Sequence, residues 1–368
     1  METYFMSGRS SSPILRFRLL PPKLFLRSPQ VLPLVLQDFS CNLQARSQEE
    51  RSEARNRMFI LGMGFVGQFF ADQLKKDGWE VIGTCTSDAK MKKLEGMGFD
   101  VHLFDSNDPE LRSLHTMESA SHLLISIPSV AGLGDPVLHQ HKDLLQSRLS
   151  HGNLQWLCYL SSTSVYGDSG GAWVDEDYPT NPTSESAKAR VDAERGWLKL
   201  GHDLGISAQV FRLGGIYGPG RSALDTILRQ ESLSKGQKMR EARRYTSRVH
   251  IADICQALKA SINMPTFGRI YNIVDDDPAP RLEVFAFAQA LIEKRCPTWM
   301  KQGPAHEVKN VPAKKKVTTE KKTIGGEKRV SNARLKDELG VRLLYPSYRS
   351  GLPSIMDYME ENSFPNFT

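Results

Sequence analysis

The sequence predicts an α/β protein: a doubly wound parallel sheet with helices on both faces and a smaller C-terminal α/β substrate lobe. Two observations carry this. Short apolar runs alternate with helical stretches from Met58 to Leu213, the pattern of repeated strand–helix–strand units. The first run, Met58–Leu61, leads straight into Gly62-Met63-Gly64-Phe65-Val66-Gly67 and an apolar helical pattern. Strand, glycines and helix stand in the order that a dinucleotide cradle requires.

Each element follows from local chemistry. Gly62 permits the tight strand-to-helix turn, Gly64 lets the backbone approach a pyrophosphate, and Gly67 lets the helix pack close to the strand. Phe65 and Val66 open the helix whose free N–H groups and positive end would receive the phosphates. Gly78 stops that helix. Glu80–Thr84 reads as the second strand, and Ser87 caps a short Lys-rich helix. Phe99–Phe104 and His122–Ile127 read as the third and fourth strands, and Leu138–Leu149 as a helix. Leu154–Leu160 is a fifth strand, Ser184–Leu204 a long helix and Ala208–Leu213 a sixth strand. Residues 56–215 are therefore assigned to the dinucleotide-binding Rossmann sheet.

After Gly214 the texture changes. Helical pieces are expected at Ser222–Ser234, Ala252–Ile262, Arg281–Lys294, Ser331–Leu339 and Leu352–Glu361, with short strands at Arg248–Ile251 and Arg269–Val274. Residues 216–368 form the expected smaller lobe, over the carboxyl edge of the sheet where such folds bind ligands. A Lys-rich loop, residues 301–330, interrupts it.

The net charge is +6 over 368 residues, but it is unevenly placed. Residues 1–57 carry +4 and residues 301–330 carry +6, which leaves −4 on the rest. An acidic body does not imply a nucleic-acid partner. The Lys-rich patch, including Lys314, Lys315, Lys316, Lys321, Lys322, Lys328 and Arg329, reads as a solvated loop, with polyanion binding as the other reading. The five cysteines are scattered without a C-x-x-C pair, which argues against a disulfide framework or a metal site. No apolar run reaches the roughly 20 residues needed to span a bilayer, so no membrane partner is expected. Residues 1–55 are rich in Ser, Arg, Leu and Pro and poor in acid before Glu49. They read as a transit-peptide-like segment directing the chain to the chloroplast stroma, or alternatively to the mitochondrion.

Four further motifs follow in order. They are Ser161-Ser162-Thr163-Ser164-Val165-Tyr166-Gly167-Asp168, Arg212-Leu213-Gly214-Gly215-Ile216-Tyr217-Gly218-Pro219-Gly220-Arg221, Arg248-Val249-His250-Ile251-Ala252-Asp253 and Tyr271-Asn272-Ile273-Val274-Asp275. With the glycine motif these resemble the extended short-chain dehydrogenase/reductases of the epimerase/dehydratase type, in an atypical branch, over about residues 58–360. The resemblance implies an NAD(P)-dependent oxidoreductase or epimerase acting on a carbonyl or sugar-type small molecule, and a possible homodimer. It also implies roles. Ser162, with Thr163 beside it, would hold the substrate oxygen. Lys188 would serve both catalysis and the cofactor's ribose. Asp105 would lie near adenine, Ser126 and Pro128 would flank a ribose, and Gly214 joins the cofactor set. Tyr166, Tyr217, Arg221, Arg248 and His250 are the substrate-side candidates.

Two departures stand out. The family's acid/base tyrosine, in Tyr-x-x-x-Lys, is Ser184 here, in Ser184-Glu185-Ser186-Ala187-Lys188. A serine hydroxyl does not replace a phenol without its own base. A non-catalytic NADP(H)-binding protein is therefore the alternative. The second departure is Gly215, where many members carry Asn. The end of the second strand, Gly83-Thr84-Cys85-Thr86-Ser87, lacks the carboxylate that takes both ribose hydroxyls of NAD. Thr84 and Thr86 could instead donate to a 2′-phosphate, so NADP is favoured over NAD. No metal is expected.

Overall fold

The structure, a computed structural model, describes residues 56–106, 112–229, 243–297 and 327–362, with side chains described from residue 116 in the second stretch. The transit-peptide-like segment and most of the Lys-rich loop lie outside the described residues.

The apolar runs form a seven-stranded parallel sheet. Its strands are β1 (Arg57–Leu61), β2 (Glu80–Cys85), β3 (Asp100–Leu103), β4 (His122–Ile125), β5 (Trp156–Ser162), β7 (Ser207–Leu213) and β10 (Arg269–Ile273), ordered β3-β2-β1-β4-β5-β7-β10. The order reverses between β1 and β4, which opens the crevice where such sheets bind ligands. Residues 56–215 supply six of these strands. The seventh, β10, comes from the C-terminal segment and pairs with β7 from Arg269↔Gln209 to Ile273↔Leu213.

Alternation along the strands builds two cores. Met58 and Ile60 face one side, where they pack with helix α1 (Phe65–Lys76), Leu94 of α2 (Asp88–Gly96), Ile254 and Leu258 of α6 (Ile251–Asn263) and Leu335 of α8 (Ala333–Leu339). Phe59 and Leu61 face the other, against Val137 and Leu145 of α3 (Pro136–Leu149) and Trp197 and Leu200 of α4 (Glu185–Leu204). A third cluster lies in the C-terminal lobe. It joins α5 (Ala223–Leu228), α7 (Arg281–Arg295) and α9 (Tyr348–Glu361) through Leu224, Val284, Ile292, Leu352 and Ile355.

Helix starts follow their caps. Asp135 Oδ1 accepts from the N–H groups of Val137 and Leu138 with Pro136 in the first turn, so α3 begins two residues before the periodicity alone suggests. Ser184 caps α4 by accepting from Ala187 N–H at 3.3 Å, and Gly205 ends it at φ 66°. Of the strands in two short parallel pairs, only the one at Arg248–His250, within the expected Arg248–Ile251, was evident in the sequence; its partner and the other pair were not. One joins β6 (Trp173–Val174) to β11 (Arg329–Val330), and the other joins β8 (Gly215–Tyr217) to β9 (Arg248–His250). Isolated pairs of two or three residues carry too little periodicity to read.

The β6–β11 pair corrects the reading of the Lys-rich segment at its C-terminal end. Lys328 is buried, and its Nζ donates to Gly167 O at 2.8 Å. Burial, with Arg243 nearby, lowers its pKa to about 8. Arg329 stacks over Trp173 and Tyr245. Neither residue belongs to a solvated loop.

A buried ion pair ties the sheet to α4. Arg212 of β7 donates from Nη2 to Glu194 Oε2 at 2.7 Å and from Nε to Oε1 at 3.1 Å, with both side chains about 5% exposed or less. Burial opposes the guanidinium charge, but the Glu194 carboxylate outweighs it and leaves the Arg212 pKa raised. Removing one partner of such a pair strands the other charge. We therefore expect Arg212→Met to lower the unfolding free energy by about 3–5 kcal/mol in urea denaturation, and Arg212→Met with Glu194→Leu to recover much of it. A single-variant loss below about 1 kcal/mol would show that the pair does not anchor the fold.

Candidate functional site

The glycine turn closes β1 at the crevice. Gly62 adopts φ +97°, and its N–H donates to Thr84 Oγ1 at 2.9 Å. A Cβ on Gly67 would stand 2.6 Å from Gly62 O, so only glycine allows this approach of helix to strand. A Cβ on Gly64 would meet no atom within 4 Å, which leaves that side of the turn open to a ligand. Helix α1 starts there with no side-chain cap, so the N–H groups of Phe65, Val66 and Gly67 are donors placed to receive an anion. Gln68 braces the turn by donating from Nε2 to Met63 O at 3.0 Å and to Gly64 O at 3.1 Å. The residues present fit a dinucleotide's pyrophosphate.

Thr84 does not serve as a ribose contact. It is buried inside the glycine turn, where its hydroxyl oxygen accepts from Gly62 N–H, and so lies away from the exposed end of β2. The exposed end of β2 is instead Thr86 and Ser87, with Ser87 Oγ accepting from Lys90 N–H at 3.4 Å. Asp105 is exposed just beyond β3, while Ser126 is half-buried and Pro128 exposed just beyond β4. Gly214 is a packing position. Its N–H donates to Ile273 O at 3.0 Å, and a Cβ there would come 3.1 Å from the Arg248 backbone.

Ser162 and Thr163 are half-buried at the end of β5, where a single 3-10 turn runs from Thr163 to Tyr166. Ser162 Oγ caps that turn by accepting from Ser164 N–H at 3.2 Å, which leaves its O–H to donate. Lys188 is exposed on α4 and donates to Glu185 Oε1 at 2.8 Å. The hydrogen bond and charge of Glu185 raise its pKa. Arg190 of α4 reaches the 3-10 turn, with Nη1 3.5 Å from Ser164 Oγ.

Tyr166 is not a substrate wall. It is fully buried, accepts from Arg212 Nη1 at 3.0 Å and donates to Asn272 Oδ1 at 2.8 Å. Burial pushes its phenol up to about 12. The sequence carried no signal for this network, because its members come from β5, α4, β7 and β10.

Tyr217, Arg221 and Arg248 do meet, at a cavity of about 320 Å³ in the C-terminal lobe. Arg229 and Arg281 also line it, beside Phe285. Arg248 is buried, with its guanidinium donating to Ala279 O at 2.8 Å and Asp277 O at 3.3 Å. Burial lowers its pKa, with Asp275 opposing. Arg281 stacks 4.2 Å from the Phe285 ring centre, and Arg229 lies 3.6 Å from Asp225. Four arginines face one lining carboxylate, Asp225, whose own pKa burial raises. The cavity favours an anion. Gly215 is one of its walls.

His250 lies behind this cavity. It is buried between the rings of Tyr217 and Tyr345, at centroid distances of 5.1 and 4.1 Å. Its Nδ1 accepts from Ala252 N–H at 3.2 Å, which caps α6 and assigns the proton to Nε2. His250 is thus a capping residue and does not line the cavity.

Among the described residues no group of three or more His, Cys, Asp or Glu is placed to hold a metal ion, and no helix is long and apolar enough to cross a membrane.

The NAD dependent epimerase/dehydratase family matches residues 138–274. Protein YeeZ of Escherichia coli (strain K12) is 31% identical over 224 residues, covering 59% of this chain and 77% of its own length. A conserved protein of unknown function from Silicibacter pomeroyi DSS is 35% identical, with a TM-score of 0.63 over 82% of this chain and 99% of its own. UDP-glucuronic acid 4-epimerase from Bacillus cereus, solved with UDP-glucuronic acid and NAD, is 18% identical with a TM-score of 0.58, covering 83% of this chain and 99% of its own. That last likeness is one of fold.

Burial lowers the His250 pKa to about 4, from an ordinary value near 6.5. The unfolded chain therefore binds the proton first as pH falls. The stability this group contributes is complete above pH 6.5 and is lost towards pH 4, by up to about 3 kcal/mol. Asp253 on the same helix, raised by burial to about 6, acts oppositely. His250→Asn keeps a capping side chain and removes the titration. The difference in unfolding free energy between wild type and this variant should narrow from pH 6.5 to 4; a constant difference would refute the assignment.

Proposed function

From the premise that this chain belongs to the NAD-dependent epimerase/dehydratase family, we propose that it is an NADP-dependent oxidoreductase or epimerase acting on a carbonyl or sugar-type small molecule that carries an anionic group. One observation carries this reading. The uncapped start of α1, behind the open side of Gly64, lies beside a cavity lined by four arginines, one of which, Arg221, stands with its guanidinium carbon 5.4 Å from the Phe65 ring centre.

The dinucleotide would be held by the N–H groups of Phe65, Val66 and Gly67. A bound nicotinamide supplies or accepts a hydride at the substrate carbon. Ser162 would hold the substrate oxygen with an O–H hydrogen bond, one lone pair of its Oγ being engaged by Ser164 N–H, and Thr163 offers a second hydroxyl; the proton that accompanies the hydride would come from water. Lys188 reaches the ribose by leaving Glu185, a surface contact of low cost. Arg248 and Arg281 orient the anionic group. The preference for NADP rests on the exposed end of β2. It presents Thr86 and Ser87 beside Lys90 and no carboxylate before Asp88. The 2′-phosphate meets donors and a cation there.

Heat denaturation with each nucleotide tests the cofactor. NADPH at 100 times its dissociation constant should stabilise the protein by about 2.7 kcal/mol, and NADH at the same concentration by clearly less. Equal shifts would reject the NADP preference, and no shift with either would reject the reading altogether. For the reaction, NADPH oxidation is screened against phosphorylated and carboxylated carbonyl compounds. With a substrate found, Thr163→Val together with Ser162→Ala should lower turnover about 100-fold.

One observation favours a second reading, a non-catalytic NADP(H)-binding protein. Ser184, at the place of the family's tyrosine, is engaged as the helix cap, and Lys188 beside it pairs with Glu185. Under this reading the nucleotide stabilises the fold while the whole screen shows no turnover.

A further inference from the structure

Arg221 stands out among the arginines of the cavity. Arg229 lies beside Asp225, Arg248 donates to two carbonyls, and Arg281 is stacked on the Phe285 ring. Arg221 is exposed and has no carboxylate or carbonyl partner for its guanidinium among the described residues.

Its position is fixed by the backbone. Gly218 N–H donates to Arg221 O at 3.1 Å and Arg221 N–H donates to Gly218 O at 3.0 Å, closing a turn with Pro219 second and Gly220 third at φ 80°. The turn packs close to Ile251 at the start of α6 and to Phe65 of α1. A Cβ on Gly218 would stand 2.4 Å from Ile251 Cγ2 and 3.4 Å from Phe65 Cζ. Arg221 is thereby carried over the Phe65 ring, with its guanidinium carbon 5.4 Å from the ring centre. Phe65 is the first residue of α1, and its own N–H is one of the donors placed to receive an anion. The ring is braced from behind by Phe69 at 4.9 Å.

An unpaired guanidinium beside the positive end of a helix is unfavourable until an anion lies between them. From this we infer that Arg221 is a cofactor-positioning residue: it closes over the dinucleotide's pyrophosphate from the C-terminal lobe, opposite the N–H groups of α1. The pyrophosphate is then gripped by both parts of the chain, and nucleotide binding draws the arginine-lined cavity against the cofactor. This places Arg221 on the cofactor side of the cavity, where the motif alone suggested a substrate contact. The inference rests on the dinucleotide-binding reading above.

Isothermal titration calorimetry on the full chain separates the two. NADP+ and NAD+ are the pyrophosphate-bearing probes, and adenosine 2′-monophosphate and adenosine are the pyrophosphate-free ones. For the better-bound dinucleotide, Arg221→Gln should weaken binding about tenfold or more, with the matching pyrophosphate-free probe unchanged within twofold. Arg221→Lys, which keeps the charge and loses the planar fork, should fall between. The loss in Arg221→Gln should shrink at high salt. Equal weakening of both probe classes, or weakening of neither, would overturn the inference. If wild type binds neither dinucleotide, the dinucleotide reading itself fails and the inference falls with it.

Discussion

The buried pair of Glu194 and Arg212 is the constraint on which the crevice face of the molecule depends. A carboxylate and a guanidinium removed from water must satisfy every remaining donor and acceptor nearby. Here they recruit Ser161 Oγ, which donates to Glu194 Oε1 at 2.5 Å, and Tyr166 Oη, which accepts from Arg212. Tyr166 passes the constraint to Asn272 of β10, whose N–H donates to Glu176 at 2.7 Å. One ion pair thus fixes α4, the end of β5, β7 and the seventh strand relative to one another. Ser162 and Thr163 are positioned as neighbours of this network.

The same network explains why some motif residues are not site residues. Tyr166 and His250 sit in stretches that look functional, yet each satisfies buried polar groups. Tyr166 bridges the ion pair to β10, and His250 caps a helix between two aromatic rings. Lys328 acts similarly from the other end of the chain, holding Gly167 O and so the loop that follows Ser162 and Thr163. At the start of α4, Ser184 meets the demand of a helix N-terminus for an acceptor. A tyrosine at this place could not cap the helix as serine does.

The cradle was legible because its causes are local. The turn at Gly62, the approach of Gly67 to Gly62 O and the open side of Gly64 all lie within six consecutive residues. The role of Thr84 was not legible. Its hydroxyl lies at the end of a neighbouring strand, 22 residues from Gly62, and only the pairing of β1 with β2 brings them together. Likewise Arg221 reads as an anion-binding residue from its motif. That it stands over Phe65 depends on the packing of the Gly218 turn against α1 and Ile251.

The fold class, the dinucleotide cradle and the family were legible in the sequence alone, since each is written in short-range patterns: continuous apolar strand runs, helix caps and glycines whose φ or clearance admits no side chain. Tertiary structure decided which polar residues face the crevice and which are occupied in the interior. The physical reason is that the groups these buried side chains meet, Gly62 N–H for Thr84, Arg212 and Asn272 for Tyr166 and the Tyr345 ring for His250, come from elements distant in the chain. Thr84, Tyr166 and His250 were therefore assigned by packing. Arg221, exposed over Phe65 and without a carboxylate or carbonyl partner among the described residues, was assigned by the position that packing left it.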